Sequence, residues 1–237
     1  MTAQTVLEQL KANANPERAK SSARFFKTGP GDYGEGDQFL GLAVPQQRIV
    51  AKRFQALPLD EIIKLLRMPY HECRLTALFI LVGQYKQGDD SQKLAIYMAY
   101  LANTAYINNW DLIDSSASYI VGPQLGNNYR KVLLPLAHSK LLWERRIAML
   151  ACFYTIAQGN PRAAFEIIDI LQNDSHDLIQ KAVGWMLREI GKRCGRQTLN
   201  DWLLDGKRYQ KLPRTTLRYA IEHYFTEERR AFLKGTA

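Results

Sequence analysis

The feature that most limits what this chain can fold into is a repeat. Segments aligned on Arg74, Trp110, Arg146 and Lys181 recur at steps of 36, 36 and 35 residues. Around them apolar residues return every three or four positions, as in Ile62, Ile63, Leu65 and Leu66, then Leu75, Leu78, Phe79, Leu81 and Val82. The same spacing runs through residues 94–101, 132–136, 147–154, 165–171 and 178–190. It is the spacing of one helix face. No run alternates with period two, so strands should be nearly absent. A period of this length, with about two helices per unit, marks an α-solenoid. One helix pair cannot bury its apolar face alone, whereas stacked pairs share a continuous core. The expectation is an all-α superhelix, a solenoid of antiparallel helix pairs forming a single curved domain over residues 1–237.

Helix punctuation agrees. Pro16 and Pro45 suit first-turn positions, where a missing N–H costs nothing. Pro58, Asp60 and Glu61 open another helix with acid in its first turn, and Asn160-Pro161 opens a later one. Identity between the units is low, so the type is HEAT- or TPR-like rather than a strict consensus. One segment breaks the pattern: residues 27–37, KTGPGDYGEGD, are glycine-rich and contain a literal G-x-G-x-x-G at Gly29, Gly31 and Gly34. A dinucleotide site needs a strand before that motif and a helix opening inside it. Here a helix precedes it and Pro30 interrupts it. The reading is a long turn over the first helices, a glycine-rich loop spanning 28–44.

Composition narrows the function classes. Hydrophobic residues are 46% of the chain, enough for a folded core without disulfide staples. No stretch approaches a membrane span, so no membrane partner is expected. The first twenty residues carry no basic-then-apolar leader, which points away from secretion and toward the cytoplasm. Cys73, Cys152 and Cys194 form no CxxC pair, and the four histidines show no ligand spacing, so neither disulfide nor metal is expected. No small-molecule cofactor is implied, and a monomer is expected. Lys and Arg exceed Asp and Glu by 32 − 23 = 9, a surplus that fits a polyanionic partner or a merely soluble surface.

The repeat aligns a candidate constellation. Four residues beyond the first stripe stand Leu78, Asp114, Leu150 and Trp185. Trp110, Asp114, Arg146 and Trp185 are therefore expected on one face over neighbouring units. Each has another reading: tryptophans as core, Asp114 as a turn residue, Arg146 as part of a solvated face. Taken together they fit a groove that holds a phosphate backbone with cations and offers flat aromatic faces to a sugar or cation. Glycoside hydrolysis usually needs two carboxylates. One suffices for a cationic N3- or N7-alkylated purine, which leaves as a neutral base; only the oxocarbenium sugar and a water then need a partner.

Several segments together resemble the AlkD family of DNA alkylation repair glycosylases. These are residues 23–27 (ARFFK) with 39–45 (FLGLAVP), 110–115 (WDLIDS), 143–146 (WERR), 179–189 (IQKAVGWMLRE) and 212–222 (LPRTTLRYAIE). The resemblance implies a HEAT-like solenoid that grips double-stranded DNA containing alkylated bases. It implies hydrolytic excision of N3- and N7-alkylpurines without drawing the lesion into a closed pocket. It assigns catalysis to Asp114, with Trp110 and Trp185 flanking the deoxyribose, and backbone contact to Arg146 and Arg188, with Lys181 assisting. Arg74, Lys207, Arg208, Arg214 and Arg218 complete the expected DNA-binding set, and Phe25 is the expected lesion-side contact. Phe25 stands where family members can carry tyrosine, and Ala43 where they can carry glutamine. Some paralogues of the fold bind damaged or branched DNA without excising bases, which is the alternative reading.

Overall fold

The computed structural model describes residues 1–237 and is all-α, with one isolated parallel bridge between Gln38 and Tyr70 and no strand. The chain divides into two compact units, Met1–Ile120 and Val121–Ala237. The first holds α1 (Ala3–Lys11), α2 (Pro16–Phe25), α3 (Val44–Arg53), α4 (Leu59–Leu66), α5 (His71–Gln87), α6 (Asp90–Leu101), α7 (Trp110–Asp114) and α8 (Ala117–Ile120). Local sequence sets the starts. Asn15 accepts the Arg18 N–H at 2.9 Å with Pro16 in the first turn of α2. Asp89 and Gln92 close a reciprocal box on α6 at 2.8 and 3.1 Å, satisfying end groups that have no partner within the helix.

Helix α5 is the axis of this unit. Every residue from His71 to Val82 is buried, and α1, α3, α4, α6, α7 and α8 all pack on it. A helix buried on all sides must pair any charge it carries. Glu72 does so by accepting the backbone N–H groups of Leu40, Gly41 and Leu42 at 2.9, 2.7 and 3.2 Å. That fastens the end of the glycine-rich loop, which runs from Phe26 to Ala43, with Val44 already helical. Gly41 has φ +84°, and a Cβ there would lie 2.1 Å from the Asn15 carbonyl oxygen. Only glycine lets the loop cross the start of α2 at this distance.

The second unit holds α9 (Tyr129–Ala137), α10 (Leu142–Ala151), α11 (Phe153–Ala157), α12 (Arg162–Leu171), α13 (Asp177–Arg193), α14 (Arg196–Leu204), α15 (Arg208–Lys211), α16 (Arg214–Ala220) and α17 (Thr226–Lys234). Helix α13 is its axis, packed by α10, α11, α12, α14 and α16. At Gly184 a Cβ would stand 2.5 Å from the Thr216 carbonyl oxygen and 2.5 Å from the Tyr219 Cβ. The bare glycine therefore sets how closely α13 and α16 approach.

The expected stripe is corrected at two positions. Arg74 is 5% exposed; it donates to the Met68 and Pro69 carbonyls at 3.3 and 3.2 Å and pairs with Asp37. In the second unit the same pattern belongs to Arg145, which donates to the Ser139 and Lys140 carbonyls at 3.1 Å each and to Asp174 at 2.7 Å. Gln180 likewise reaches six residues back, to the Asp174 carbonyl at 3.0 Å. The structural repeat thus runs through Arg74, Arg145 and Gln180, one residue earlier than the alignment on Arg146 and Lys181. Arg146 is itself 5% exposed and donates to the Leu178 carbonyl at 2.6 Å. Arg74 and Arg146 are thus largely buried, and each donates to backbone carbonyls within its own unit.

Candidate functional site

In the first unit the site centres on α7. Five residues are too few to hold a helix by backbone bonds alone, so its placement comes from tertiary ties. Leu112 and Ile113 are buried, and Asn109, fully buried, caps the start by accepting the Trp110 N–H at 2.8 Å. Asp111 Oδ1 accepts the Leu112 N–H at 2.9 Å. Trp110, Asp111 and Asp114 remain half-buried. Behind Asp114, the Tyr100 hydroxyl meets Ser116 Oγ at 2.9 Å, and Ser116 donates to the Leu112 carbonyl at 2.6 Å. Burial first, with the Asp114 charge adding to it, pushes the Tyr100 phenol up, so it stays a neutral hydroxyl.

An aromatic wall supports Trp110. Phe26 lies 5.5 Å from its ring, tilted, and Phe25 lies 5.9 Å away edge-on. Phe25 is 65% exposed, so its outer face is open to a ligand. Phe39 and His71 continue the wall, each within 5.3 Å of Phe26. Behind it runs a buried polar chain that sequence reading missed. Arg74 pairs with Asp37; Asp37 Oδ2 lies 3.1 Å from His71 Nδ1, and His71 Nε2 lies 2.8 Å from Asp111 Oδ2. Burial pulls the His71 pKa down, but the hydrogen bonds and charges of Asp111 and Asp37 outweigh it and hold the imidazole at about 9. Burial likewise pushes Asp37 up, while the His71 bond and the Arg74 charge bring it below its ordinary value. Histidine spacing along the sequence gives no hint of an imidazole set between two aspartates 34 and 40 residues away.

In the second unit, Lys181, Trp185 and Arg188 follow one another at helical spacing along α13. Lys181 pairs with Asp177 at 2.8 Å and is half-exposed. The Trp185 indole N–H donates to Glu189 at 3.3 Å, and its ring lies 6.4 Å from Phe153. Glu189 is buried and also accepts from Arg193 at 2.9 Å, which fixes the acceptor that orients the indole. Arg188 pairs with Glu222. Arg188, Lys192, Arg196 and His223 rim a cavity of about 350 Å³ over Leu199 and Ala220. Lys207, Arg214 and Arg218 are exposed, whereas Arg208 is held by Asp169 at 2.6 Å and lies 5.0 Å from the Trp202 ring. Ala43 stands at the cap position of α3, and the Gln46 side chain accepts its N–H at 2.9 Å.

No group of three or more His, Cys, Asp or Glu side chains is arranged to hold a metal ion. No helix is long and apolar enough to cross a membrane. An all-α stack of helix pairs, with half-buried tryptophans on its repeat helices and a carboxylate one turn beyond Trp110, defines the class. The particular family follows from comparison: the profile described as DNA alkylation repair enzyme matches residues 6–224, and the chain belongs to that family. A solved structure described as a predicted DNA alkylation repair enzyme from Enterococcus faecalis is similar, with a TM-score of 0.68 at 17% identity. The match covers 90% of this chain and 97% of that one, and at this identity it shows the shared all-α solenoid fold. No curated protein sequence matches the chain at a significant level.

Proposed function

We propose that this DNA alkylation repair enzyme is a monofunctional glycosylase that hydrolyses the N-glycosidic bond of cationic N3- or N7-alkylpurines in duplex DNA. The observation that carries the reading is Asp114, a half-buried carboxylate one turn from Trp110, whose ring is braced by Phe26 and Phe25. In the reaction the bond from C1′ to the purine nitrogen breaks and its electron pair neutralises the cationic base. Positive charge moves to the sugar, where Asp114 opposes it. Water then bonds to C1′ and gives its proton to Asp114. Such aimed charge is strongest where the surrounding groups are already fixed, as α7 is. Trp110 offers a flat π-face to the charge. In the second unit Trp185 takes the sugar-flanking role, Arg188 and Lys181 the backbone role, and Lys207, Arg214 and Arg218 add exposed positive charge. No step forms a Schiff base, so the product is an intact abasic strand.

The test is a duplex with a single 7-methylguanine, incubated with enzyme in excess and then cut with alkali at abasic sites. Strand cleavage is expected, and Asp114→Asn should slow it by at least about 10²-fold, the scale for losing one aimed electrostatic group. No cleavage above background would end the glycosylase reading; full activity in Asp114→Asn would end the assignment of Asp114.

A further inference from the structure

His71 lies between two carboxylates, one on each ring nitrogen, at 3.1 Å from Asp37 and 2.8 Å from Asp111. A neutral imidazole has one N–H and one lone pair. It can donate to only one of these oxygens and would turn a lone pair on the other. Both contacts are donor-to-acceptor only when the ring carries two protons. Charge counting agrees. The groups on the ring nitrogens are Asp37 from the glycine-rich loop and Asp111 from α7, and Arg74 from α5 pairs with Asp37; the α5 residue Glu72 is occupied by three backbone N–H groups. The nearest groups from the end of α2 and the loop are the Phe26 and Phe39 rings, at 4.7 and 4.8 Å, which carry no titratable atom. With an imidazolium the cluster of two acids and two bases is neutral; with an imidazole a net negative charge is buried, which is costly.

The cluster reaches the site through one residue. Asp111 grips His71 with Oδ2 and caps the first turn of α7 with Oδ1, between Trp110 on one side and buried Leu112 on the other. Asp37 ties the same ring to the loop that carries Phe39, and Phe26 spans the distance from His71 to Trp110. We propose that His71 is a positioning residue, an imidazolium that bolts the glycine-rich loop to α7, and that Trp110 and Asp114 keep their working geometry only while both its ring nitrogens are protonated. The activity readout rests on the glycosylase reading above; the other readouts do not.

The full-length ¹⁵N-labelled chain is titrated from pH 6 to 10.5 with two-bond imidazole NMR. His71 is expected to show both nitrogens protonated at pH 8 and to titrate near 9; a neutral-tautomer pattern at pH 7.5 overturns the proposal. Trp110 emission, taken as wild type minus Trp110→Phe, is expected to change with the same midpoint, and emission that ignores the titration overturns it. One pH unit beyond that midpoint the single-turnover excision rate is expected to stand about tenfold below its low-pH plateau. In Asp111→Asn this alkaline limb moves to lower pH, because one of the two carboxylates holding the proton is gone. In His71→Gln, which serves if Asp111→Asn fails to fold, the limb vanishes. A limb that stays in place in the folded variant overturns the proposal. If NMR and emission behave as expected and no excision occurs at any pH, the positioning role stands and the glycosylase reading fails.

Discussion

Gly184→Ala separates close helix packing from helix propensity, because the two act in opposite directions. In a solvent-exposed helix the change stabilises by about 1 kcal/mol. At Gly184 the added methyl would stand 2.5 Å from a backbone oxygen of α16 and 2.5 Å from the Tyr219 Cβ, with the Thr216 carbonyl carbon at 3.2 Å. Backbone atoms cannot rotate away, so α13 and α16 must separate, and overpacking of this kind costs about 1–3 kcal/mol beyond the propensity gain. Gly191, two turns on, is the control: its nearest neighbour is the Leu199 Cδ2 at 2.8 Å, the far end of a flexible side chain that can turn aside. Urea unfolding should show Gly184→Ala destabilised by roughly 2 kcal/mol and Gly191→Ala within about 0.5 kcal/mol of wild type. Gly184→Val should be worse than Gly184→Ala. An unchanged or raised urea midpoint for Gly184→Ala would refute the claim that this glycine sets the spacing that places Trp185 and Arg188.

Three further outcomes follow from groups described above. Arg74→Met should cost about 3 kcal/mol in urea unfolding by stranding Asp37, while DNA affinity of the folded variant stays at the wild-type level; a loss of affinity alone would restore Arg74 as a DNA contact. His71 has a folded pKa raised from 6.5 to about 9, so its stabilisation is complete below the unfolded value and is lost as pH rises through 9. On the scale of 1.36 kcal/mol per unit this is about 3 kcal/mol, and the decline of urea midpoints from pH 7 to 9.5 should flatten in His71→Gln. A thiol reagent should modify half-buried Cys194 ahead of Cys73 and Cys152, whose thiols burial pushes up, Cys73 to about 12; equal rates in the native protein would contradict their burial.

What the sequence shows and what it hides divide along physical lines. Period and composition report which residues seek the core, so the all-α fold, the helix pairs and the loop near residues 28–44 were legible. Trp110 and Asp114 stand half-exposed where a core stripe would be aliphatic. Rotation was not legible. One residue turns a helix by about 100°, and weakly similar repeats cannot be aligned that finely by eye. Counting by 36 therefore selected Arg146 where the fold uses Arg145, and read Arg74 as a surface cation although its carbonyl partners lie five and six residues back. A long-range polar cluster is hidden for another reason. Asp37, His71 and Asp111 come from a loop and two helices, with 34 and 40 residues separating the bonded pairs. No local pattern encodes that meeting, although a histidine and a glutamate side by side at the start of a largely buried helix do require buried partners. The same logic separates the cations. Arg74, Arg145 and Arg146 fold back onto carbonyls of their own units, whereas Lys207 and Arg218 are exposed; Arg214 is exposed but donates to the Leu233 carbonyl, and half-exposed Lys181 pairs with Asp177.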